Sequence, residues 1–179
     1  MRSFQQLEQG WQDGPVAPRH RGVVRLVVAR LGGGEHDVLD RGQLTPDDGL
    51  VGDRWKTGPN PSVERQITLM ETRVAELVAD GQPLHMPGDN VLVDLDLGAQ
   101  AAPTGTRIRL GEAVLEVTDK PHTGCKKFQA RFGADAMRWV NAKEFAGRRL
   151  RGINCRVVQP GTVAAGDLAE NLGPRPSEG

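Results

Sequence analysis

Short apolar runs separated by glycine and proline dominate the pattern of this chain. Residues 23–31 are rich in valine and leucine and end at three consecutive glycines, which predicts a strand. Residues 106–110 and 113–118 are two further apolar runs, and the two-residue link between them begins with glycine, as in a β-hairpin. Residues 90–97 and 153–158 predict two more strands, so the chain is mainly β in character.

Two segments carry a helical pattern instead. Thr68 and Glu71 have the spacing of a capping box, and Gly81 supplies a stop, so we predict a helix that begins at Thr68. A second helix is predicted over residues 134–144. The apolar side chains of the first helix fall on one face and comprise Met70, Val74, Leu77 and Val78.

Glycine and proline are dense in residues 40–63, which we therefore interpret as one long loop region. Many strands and two helices without an internal repeat predict a closed or nearly closed β-barrel with a few added helices. We expect residues 1–20 to form a loose N-terminal arm, residues 21–168 to form the barrel domain, and residues 169–179 to be a disordered tail.

Composition narrows the classes of function. The chain has 179 residues with 23 basic and 23 acidic side chains, so no net charge attracts nucleic acid or an anionic membrane. No apolar run is long enough to span a bilayer, and residues 1–20 lack the apolar segment of a secretory signal. Two cysteines do not make a disulfide framework, so we expect a cytoplasmic protein in a reducing compartment.

Cys125 is the most distinctive residue. It follows Lys120, His122 and Gly124 directly after the predicted hairpin and precedes two lysines, so it is expected on a basic loop. Positive neighbours favour the thiolate, which is both the nucleophile and the metal ligand. The alternative is a small buried side chain, which is the usual role of a free cysteine and is the one we expect for Cys155 within a strand.

Two glycine turns present further candidates. Gly52 precedes Asp53 and Arg54, and Arg54 could bind a phosphate or could pair with Asp53 within the loop. Asn90 follows a second turn at a strand start, where it could bind a ligand or close an Asx-turn. The sequence alone leaves both pairs of alternatives open.

The order of these pieces resembles the MOSC domain, which is named for the C-terminal part of molybdenum-cofactor sulfurases and also occurs as stand-alone bacterial proteins. The resemblance covers about residues 20–168. Its motifs are, in chain order, Gly52-Asp-Arg54, Arg65-Gln-Ile-Thr-Leu69, Gly88-Asp-Asn90, Gly105-Thr-Arg-Ile-Arg-Leu-Gly111, Leu115-Glu-Val-Thr118, Cys125, Ala130-Arg-Phe-Gly133, Arg151-Gly-Ile153 and Gly161-Thr-Val-Ala-Ala-Gly-Asp167.

The resemblance implies a β-barrel that binds the molybdenum cofactor (molybdopterin), a phosphorylated pterin dithiolene. It implies that Cys125 is the molybdenum ligand or a sulfur carrier. Stand-alone relatives often have histidine directly after the Gly-Asp of the first motif, whereas this chain has Arg54. The residues that match groups around the pterin and its phosphate are Arg54, Arg65, Asn90, Lys120 and Thr123.

Three functions are compatible with this resemblance. The first is an oxidoreductase that reduces a small N-hydroxylated substrate, with His122 delivering a proton and a separate electron-transfer protein supplying electrons. The second is a sulfur carrier that transfers a Cys125 persulfide for metal-sulfur cofactor assembly. The third is a non-catalytic barrel that serves as a binding module.

Overall fold

The computed structural model describes residues 1–174. The helices are α1 (Phe4–Asp13), α2 (Thr72–Ala79) and α3 (Lys126–Val140). The strands are β1 (Arg21–Arg30), β2 (His36–Val38), β3 (Arg41–Thr45), β4 (Gly49–Leu50), β5 (Ile67–Glu71), β6 (Val91–Val93), β7 (Thr106–Leu110), β8 (Ala113–Val117), β9 (Ile153–Gln159), β10 (Gly161–Ala164) and β11 (Leu168–Pro174).

Seven of these strands close into a barrel. Their order is β11, β7, β8, β9, β5, β6 and β1, and β1 pairs with β11 to complete the ring. The pairs are antiparallel except for β5 with β6. Closure leaves no strand edge unpaired within the ring, and it confirms the prediction of a mainly β fold built on a barrel.

Strand β5 shows how the barrel is packed. All five of its residues are buried, because one face points into the barrel and the other lies under the helices. Ile67 and Leu69 belong to the interior cluster, whereas Met70 belongs to a second cluster between the barrel wall and the helices. The fold therefore has a barrel core and a separate helical layer on one side.

The helical layer includes the N-terminal segment, which we expected to be a loose arm. Ser3 and Gln6 form a capping box that starts α1, and Leu7 is fully buried among residues of α2 and α3. Glu8 accepts a hydrogen bond from Trp139 Nε1 and forms an ion pair with Arg148. Residues 4–13 are therefore a docked helix rather than an arm.

The helix predicted from Thr68 begins four residues later. Thr68 lies inside β5, where its backbone N–H and hydroxyl bond to Asn90, and Glu71 makes no capping hydrogen bond. The backbone N–H and C=O groups of β5 form their hydrogen bonds with β9 and β6, so they do not need a helix cap. Tertiary pairing has overridden the local signal at this position.

Three other boundaries differ from the predictions. Residues 40–63 hold β3 and β4, which form a small sheet with β10, instead of a single loop. Helix α3 begins at Lys126, well before residue 134, and Gly133 interrupts it with a φ of +89°. The predicted strand over residues 90–97 is regular only at β6.

The predicted disordered tail begins inside a strand. β11 pairs with β7 along its length and with β1, and it is the strand that closes the barrel. Residues 175–179 of that predicted tail lie outside the described residues. Among residues 1–174, none of the helices has the length and apolar character that crossing a membrane requires.

Gly152, where β9 approaches β5, offers a test of this packing. Its φ is +99°, and an added Cβ would overlap the carbonyl oxygen of Leu69. We expect Gly152→Ala to lower the free energy of unfolding by more than about 3 kcal/mol, because backbone strain and a backbone clash act together. Urea denaturation measures the loss.

Gly166→Ala is the matched control. Its φ of +93° is similar, but nothing lies within 4 Å of an added Cβ. Backbone strain alone should lower the free energy of unfolding of this variant by about 1–2 kcal/mol. Equal losses in the two variants would contradict the close approach of β9 to β5.

Candidate functional site

Cys125 lies where the segment after β8 enters α3. It occupies the N-cap position with extended backbone (φ −120°, ψ 176°), and its carbonyl oxygen accepts the N–H of Gln129. The helix forms because Phe128, Phe132 and Ala136 recur at four-residue spacing and bury one face in the helical layer. This packing presents the exposed Cys125 thiol at the positive end of the helix.

The thiol borders a cavity of about 170 Å³, which we call the Cys125 cavity. It is bounded by the end of β1, the loop after β4, the turn before β6, the loop after β8 and the first turns of α3. Its lining residues are Arg30, Leu31, Gly34, His36, Arg54, Pro87, Gly88, His122, Thr123, Cys125, Lys127, Phe128, Arg131 and Arg151.

The Cys125 cavity has a net positive charge, although Arg30 and Arg151 are ion-paired. Four arginines and Lys127 line it, and no aspartate or glutamate among the described residues does. Arg54 and Lys127 have no ion-pair partner within residues 1–174, and Arg131 donates to the carbonyl oxygens of Met86 and Gly34. Such a cavity attracts anions, and its guanidinium groups suit a phosphate.

Arg30 is held in place by Asp53. The buried carboxylate accepts three hydrogen bonds from Arg30, from the backbone N–H at 2.8 Å and from Nε and Nη2 at 2.9 Å. Burial by itself raises the pKa of Asp53, but the hydrogen bonds and charge of Arg30 outweigh it, so this pKa lies below its usual value. Asp53 therefore pairs with Arg30 across the cavity wall, and Arg54 beside it is left facing the cavity.

Asn90 also binds the carboxylate of Asp53. Its side chain is fully buried, donates to Asp53 at 2.9 Å and to Val28, and accepts the N–H of Thr68 at 3.0 Å. It does not line the Cys125 cavity. The first two glycine motifs of the sequence thus meet here, because Asp53 of one binds Asn90 of the other.

A second buried carboxylate holds Arg151 and His122. Asp89 accepts a hydrogen bond from Arg151 Nη1 on one oxygen and lies 2.8 Å from His122 Nε2 on the other. Burial by itself raises the pKa of Asp89, but the charge of Arg151 and the hydrogen bonds from His122 and Arg151 outweigh it and hold that pKa at about 2. Arg151 Nη2 also donates to the carbonyl oxygen of Pro87, and its guanidinium lies 5.0 Å from the Phe128 ring.

His122 is a neutral imidazole near neutral pH. Burial and the charge of Arg151 lower its pKa below the ordinary value, although Asp89 acts in the opposite direction. Because the Asp89 carboxylate can only accept, Nε2 carries the ring proton and Nδ1 has a free lone pair. An aspartate-oriented histidine and a cysteine therefore border the same cavity.

The structure brings together some of the residues predicted from sequence. Cys125, His122, Thr123 and Arg54 all line the Cys125 cavity. Asn90 lies beneath it.

Two other residues with predicted cofactor contacts lie elsewhere. Lys120 faces away toward Glu64, with 3.4 Å between Nζ and the carboxylate. Arg65 is exposed in a short 3₁₀ helix outside the cavity.

Three residues of the cavity were not predicted from the sequence as site residues, namely Arg30, His36 and Arg151. Arg151 stands in one of the recognised motifs, and Arg30 ends an otherwise apolar strand, so both carried a local signal. His36 follows the glycine run, and burial and the charge of Arg131 lower its pKa. Gly88, with φ +80°, leaves room for the His36 ring, because an added Cβ would lie 3.1 Å from it.

Comparisons with known proteins agree with this fold. The family model for the MOSC domain matches residues 64–170, which contain Asp89, His122, Cys125 and Arg151. No similar sequence is found among curated proteins.

Solved structures of the same fold share little sequence with this chain. The YuaD protein from Bacillus subtilis has 19% identity and a TM-score of 0.62, over 84% of this chain and 95% of that one. A hypothetical protein has 22% identity and a TM-score of 0.62, and the match covers 88% of this chain and 70% of that one. YiiM from Escherichia coli has 21% identity and a TM-score of 0.54, and the match covers 84% of this chain and 69% of that one. At these identities the likeness shows the fold alone.

The Asp89–Arg151 pair generates a stability prediction. We expect Asp89→Asn to lower the free energy of unfolding by about 3–5 kcal/mol, because it leaves the buried Arg151 guanidinium without a counter-charge. Asp40→Asn is the control, since Asp40 is exposed, and it should change stability by less than about 0.5 kcal/mol. Similar small losses in urea denaturation of both variants would contradict the role given to Asp89.

His122 generates a pH prediction. Its pKa in the folded protein is below the ordinary 6.5, so the unfolded chain binds a proton more readily as pH falls through that value. The free energy of unfolding should therefore decrease from pH 7 to pH 5, and His122→Asn should make this decrease shallower. Parallel pH profiles for the two proteins would show that His122 is not held neutral.

Proposed function

Because the chain belongs to the MOSC domain family, some members of which bind the molybdenum cofactor, we propose that it binds this cofactor with Cys125 as the protein ligand of molybdenum. The observation that supports the proposal best is the exposed thiol beside a cavity lined by four arginines and a lysine. A phosphorylated pterin dithiolene needs both a soft metal ligand and a site for an anion.

The residues present fit such a group. A thiolate is the soft ligand that a sulfur-rich metal centre accepts, and guanidinium groups bind phosphate through paired hydrogen bonds. Arg30 and Arg151 are oriented by buried carboxylates, so they present their charge without having to reorganise. Arg151 Nε is buried without a hydrogen-bond partner among the described residues, so the guanidinium retains unused donor capacity.

The size of the cavity adds a constraint. At about 170 Å³ it lies below the range of about 300–1,000 Å³ that is typical of ligand pockets, so the cofactor must extend beyond it. A neighbouring cavity of about 320 Å³ shares Arg30, Leu31 and Arg54 with it and also borders Lys56. We assign the phosphate of the pterin to this side, where Arg54 has no carboxylate partner within residues 1–174.

We infer that the reaction is reduction of a small N-hydroxylated compound. The N–O bond breaks, two electrons and two protons are consumed, and the amine or amidine leaves with water. The bound cofactor would supply the two-electron redox chemistry. His122 would take up a proton at Nδ1 and pass it to the departing oxygen, while Asp89 stabilises the imidazolium formed in between.

The electrons would come from a separate protein. The sequence has only two cysteines and lacks the set that ligates an iron–sulfur cluster. Arg54, Lys126 and Lys127 are exposed beside the Cys125 cavity and would attract an electron-transfer partner with an acidic surface. Sustained reduction by the purified chain with a reduced nicotinamide alone would contradict the need for a partner.

The exposure of Cys125 also favours a second candidate function. A persulfide carrier must present its sulfur to an acceptor protein, and this thiol is accessible whereas Cys155 is buried. Burial raises the pKa of Cys155 above its usual range, so that thiol is inert. A carrier would hold sulfur on Cys125 without retaining molybdenum.

Molybdenum content separates the two candidates. Protein purified from a host that makes the cofactor should contain near-stoichiometric molybdenum by mass spectrometry, and Cys125→Ser should lose most of it because the metal ligand is gone. Cys155→Ala is the control and should retain the metal, since Cys155 lies in the barrel core.

A folded wild-type protein without molybdenum would remove the cofactor proposal. If Cys125 then carried a persulfide, detected as a cyanide-releasable sulfur absent from Cys125→Ser, the carrier function would take its place. Equal molybdenum in wild type and Cys125→Ser would show that Cys125 is not the anchor.

A further inference from the structure

A second cavity lies on the other side of the loop that precedes Cys125. It has a volume of about 310 Å³ and is bounded by residues 118–123, residues 140–146 and residues 149–154. We call it the Arg149 cavity. His122, Thr123 and Arg151 line both cavities and form the wall between them. A ligand in the Arg149 cavity therefore lies one layer of side chains from the Cys125 cavity.

The charges in the Arg149 cavity are not balanced. Neither Arg149 nor Lys143 has an ion-pair partner within residues 1–174, and Asp119 is the acidic side chain in the lining. Arg149 is half-buried and donates from Nη1 to the carbonyl oxygen of Ala102, and burial lowers its pKa. A partly buried guanidinium without a counter-charge is unfavourable until an anion binds beside it.

The position of Arg149 is fixed by the end of a helix. Arg149 is the C-cap of the 3₁₀ helix Lys143–Arg148, and its backbone N–H donates to the carbonyl oxygen of Ala146. Its φ of +49° is the left-handed conformation that is common at helix ends. The helix end therefore holds at the cavity an arginine that has no carboxylate partner in the described chain.

The remaining lining is partly apolar. Val140, Phe145 and Ile153 contribute hydrophobic side chains, and Thr118, Asn141 and Asn154 contribute polar ones. The volume lies within the range of small-molecule pockets. A cavity with an aromatic and aliphatic wall and two cations without ion-pair partners is complementary to a small amphiphilic anion, such as an aromatic carboxylate.

We propose that the Arg149 cavity is the specificity pocket for the substrate, and that it selects N-hydroxylated compounds carrying an aromatic or aliphatic group with a carboxylate. Arg149 and Lys143 bind the carboxylate, Phe145 contacts the apolar part, and the N-hydroxyl group lies against the wall that His122 and Thr123 share with the Cys125 cavity. The reaction in this assignment rests on the proposed function, whereas binding in the pocket requires the chain alone.

The test compares two probes that differ only in the carboxylate. Benzamidoxime and 4-carboxybenzamidoxime are titrated by calorimetry into protein made in a host without the cofactor. The carboxylate compound should bind at least about tenfold more tightly, because it gains charge-assisted hydrogen bonds. Lys143→Gln and Arg149→Gln should each remove most of this difference.

Two controls separate this inference from the proposed function. Arg138→Gln changes an exposed arginine that lines neither cavity and should leave both affinities unchanged. In protein from a host that makes the cofactor, Lys143→Gln should retain molybdenum, whereas Cys125→Ser should lose it. Lys143 is exposed, so its variant should fold even if Arg149→Gln is unstable.

Equal affinity for the two probes would overturn the inference. So would loss of molybdenum in Lys143→Gln to the extent seen in Cys125→Ser, because the cofactor would then occupy the Arg149 cavity. A wild-type protein that lacks molybdenum but selects the carboxylate compound would support the pocket while ending the reductase proposal.

Discussion

Two buried aspartates hold the positively charged groups of this site, and the rest of its architecture depends on them. Asp53 binds Arg30 through three hydrogen bonds, and Asp89 binds Arg151 and His122. A carboxylate buried without a cation would become protonated, whereas the pKa of Asp89 is about 2 because its partners are charged or polarised. Each aspartate thus turns a flexible arginine into a fixed donor at the wall of one cavity.

The barrel brings these groups together. β1 delivers Arg30 at its end, the turn before β6 delivers Asp89, and the segment before β9 delivers Arg151. The loop after β8 adds His122 and Cys125. Because β6 pairs with both β1 and β5, Asn90 at its start can link Asp53 to the backbone of Thr68. Closure of the sheet therefore sets the geometry of the cavity as well as the stability of the core.

Features that depend on neighbouring residues were predictable from sequence. The hairpin of β7 and β8 was predicted from its glycine link, and the position of Cys125 after it followed directly. The resemblance to the MOSC domain was confirmed by the family match over residues 64–170. Asp53 illustrates the opposite case, because its partner Arg30 is 23 residues away and Arg54 is adjacent. The sequence suggests the pairing of Asp53 with its neighbour Arg54, but it cannot reveal the pairing with Arg30, which depends on the fold.

The same reason explains the errors in secondary structure. Thr68 and Glu71 form a capping pattern, but β5 gains more from pairing with two strands than from starting a helix. β11 is polar in places and lies near the end of the chain, yet its pairing with β7 and β1 closes the barrel. The cofactor contacts expected for Lys120 and Arg65 stay predictions; Lys120 lies near Glu64, and Arg65 lies outside the Cys125 cavity.

The proposed cofactor site is the Cys125 cavity, which is lined by two arginines that buried carboxylates hold in place. Its most direct test is the position of molybdenum in crystals of cofactor-loaded protein, measured from anomalous scattering at the molybdenum edge. If Cys125 is the molybdenum ligand, one strong peak is expected within bonding distance of Cys125 Sγ, in the cavity bordered by Arg30, Arg54 and Arg151. A peak in another part of the molecule, or loaded crystals with no ordered peak at Cys125, would contradict it.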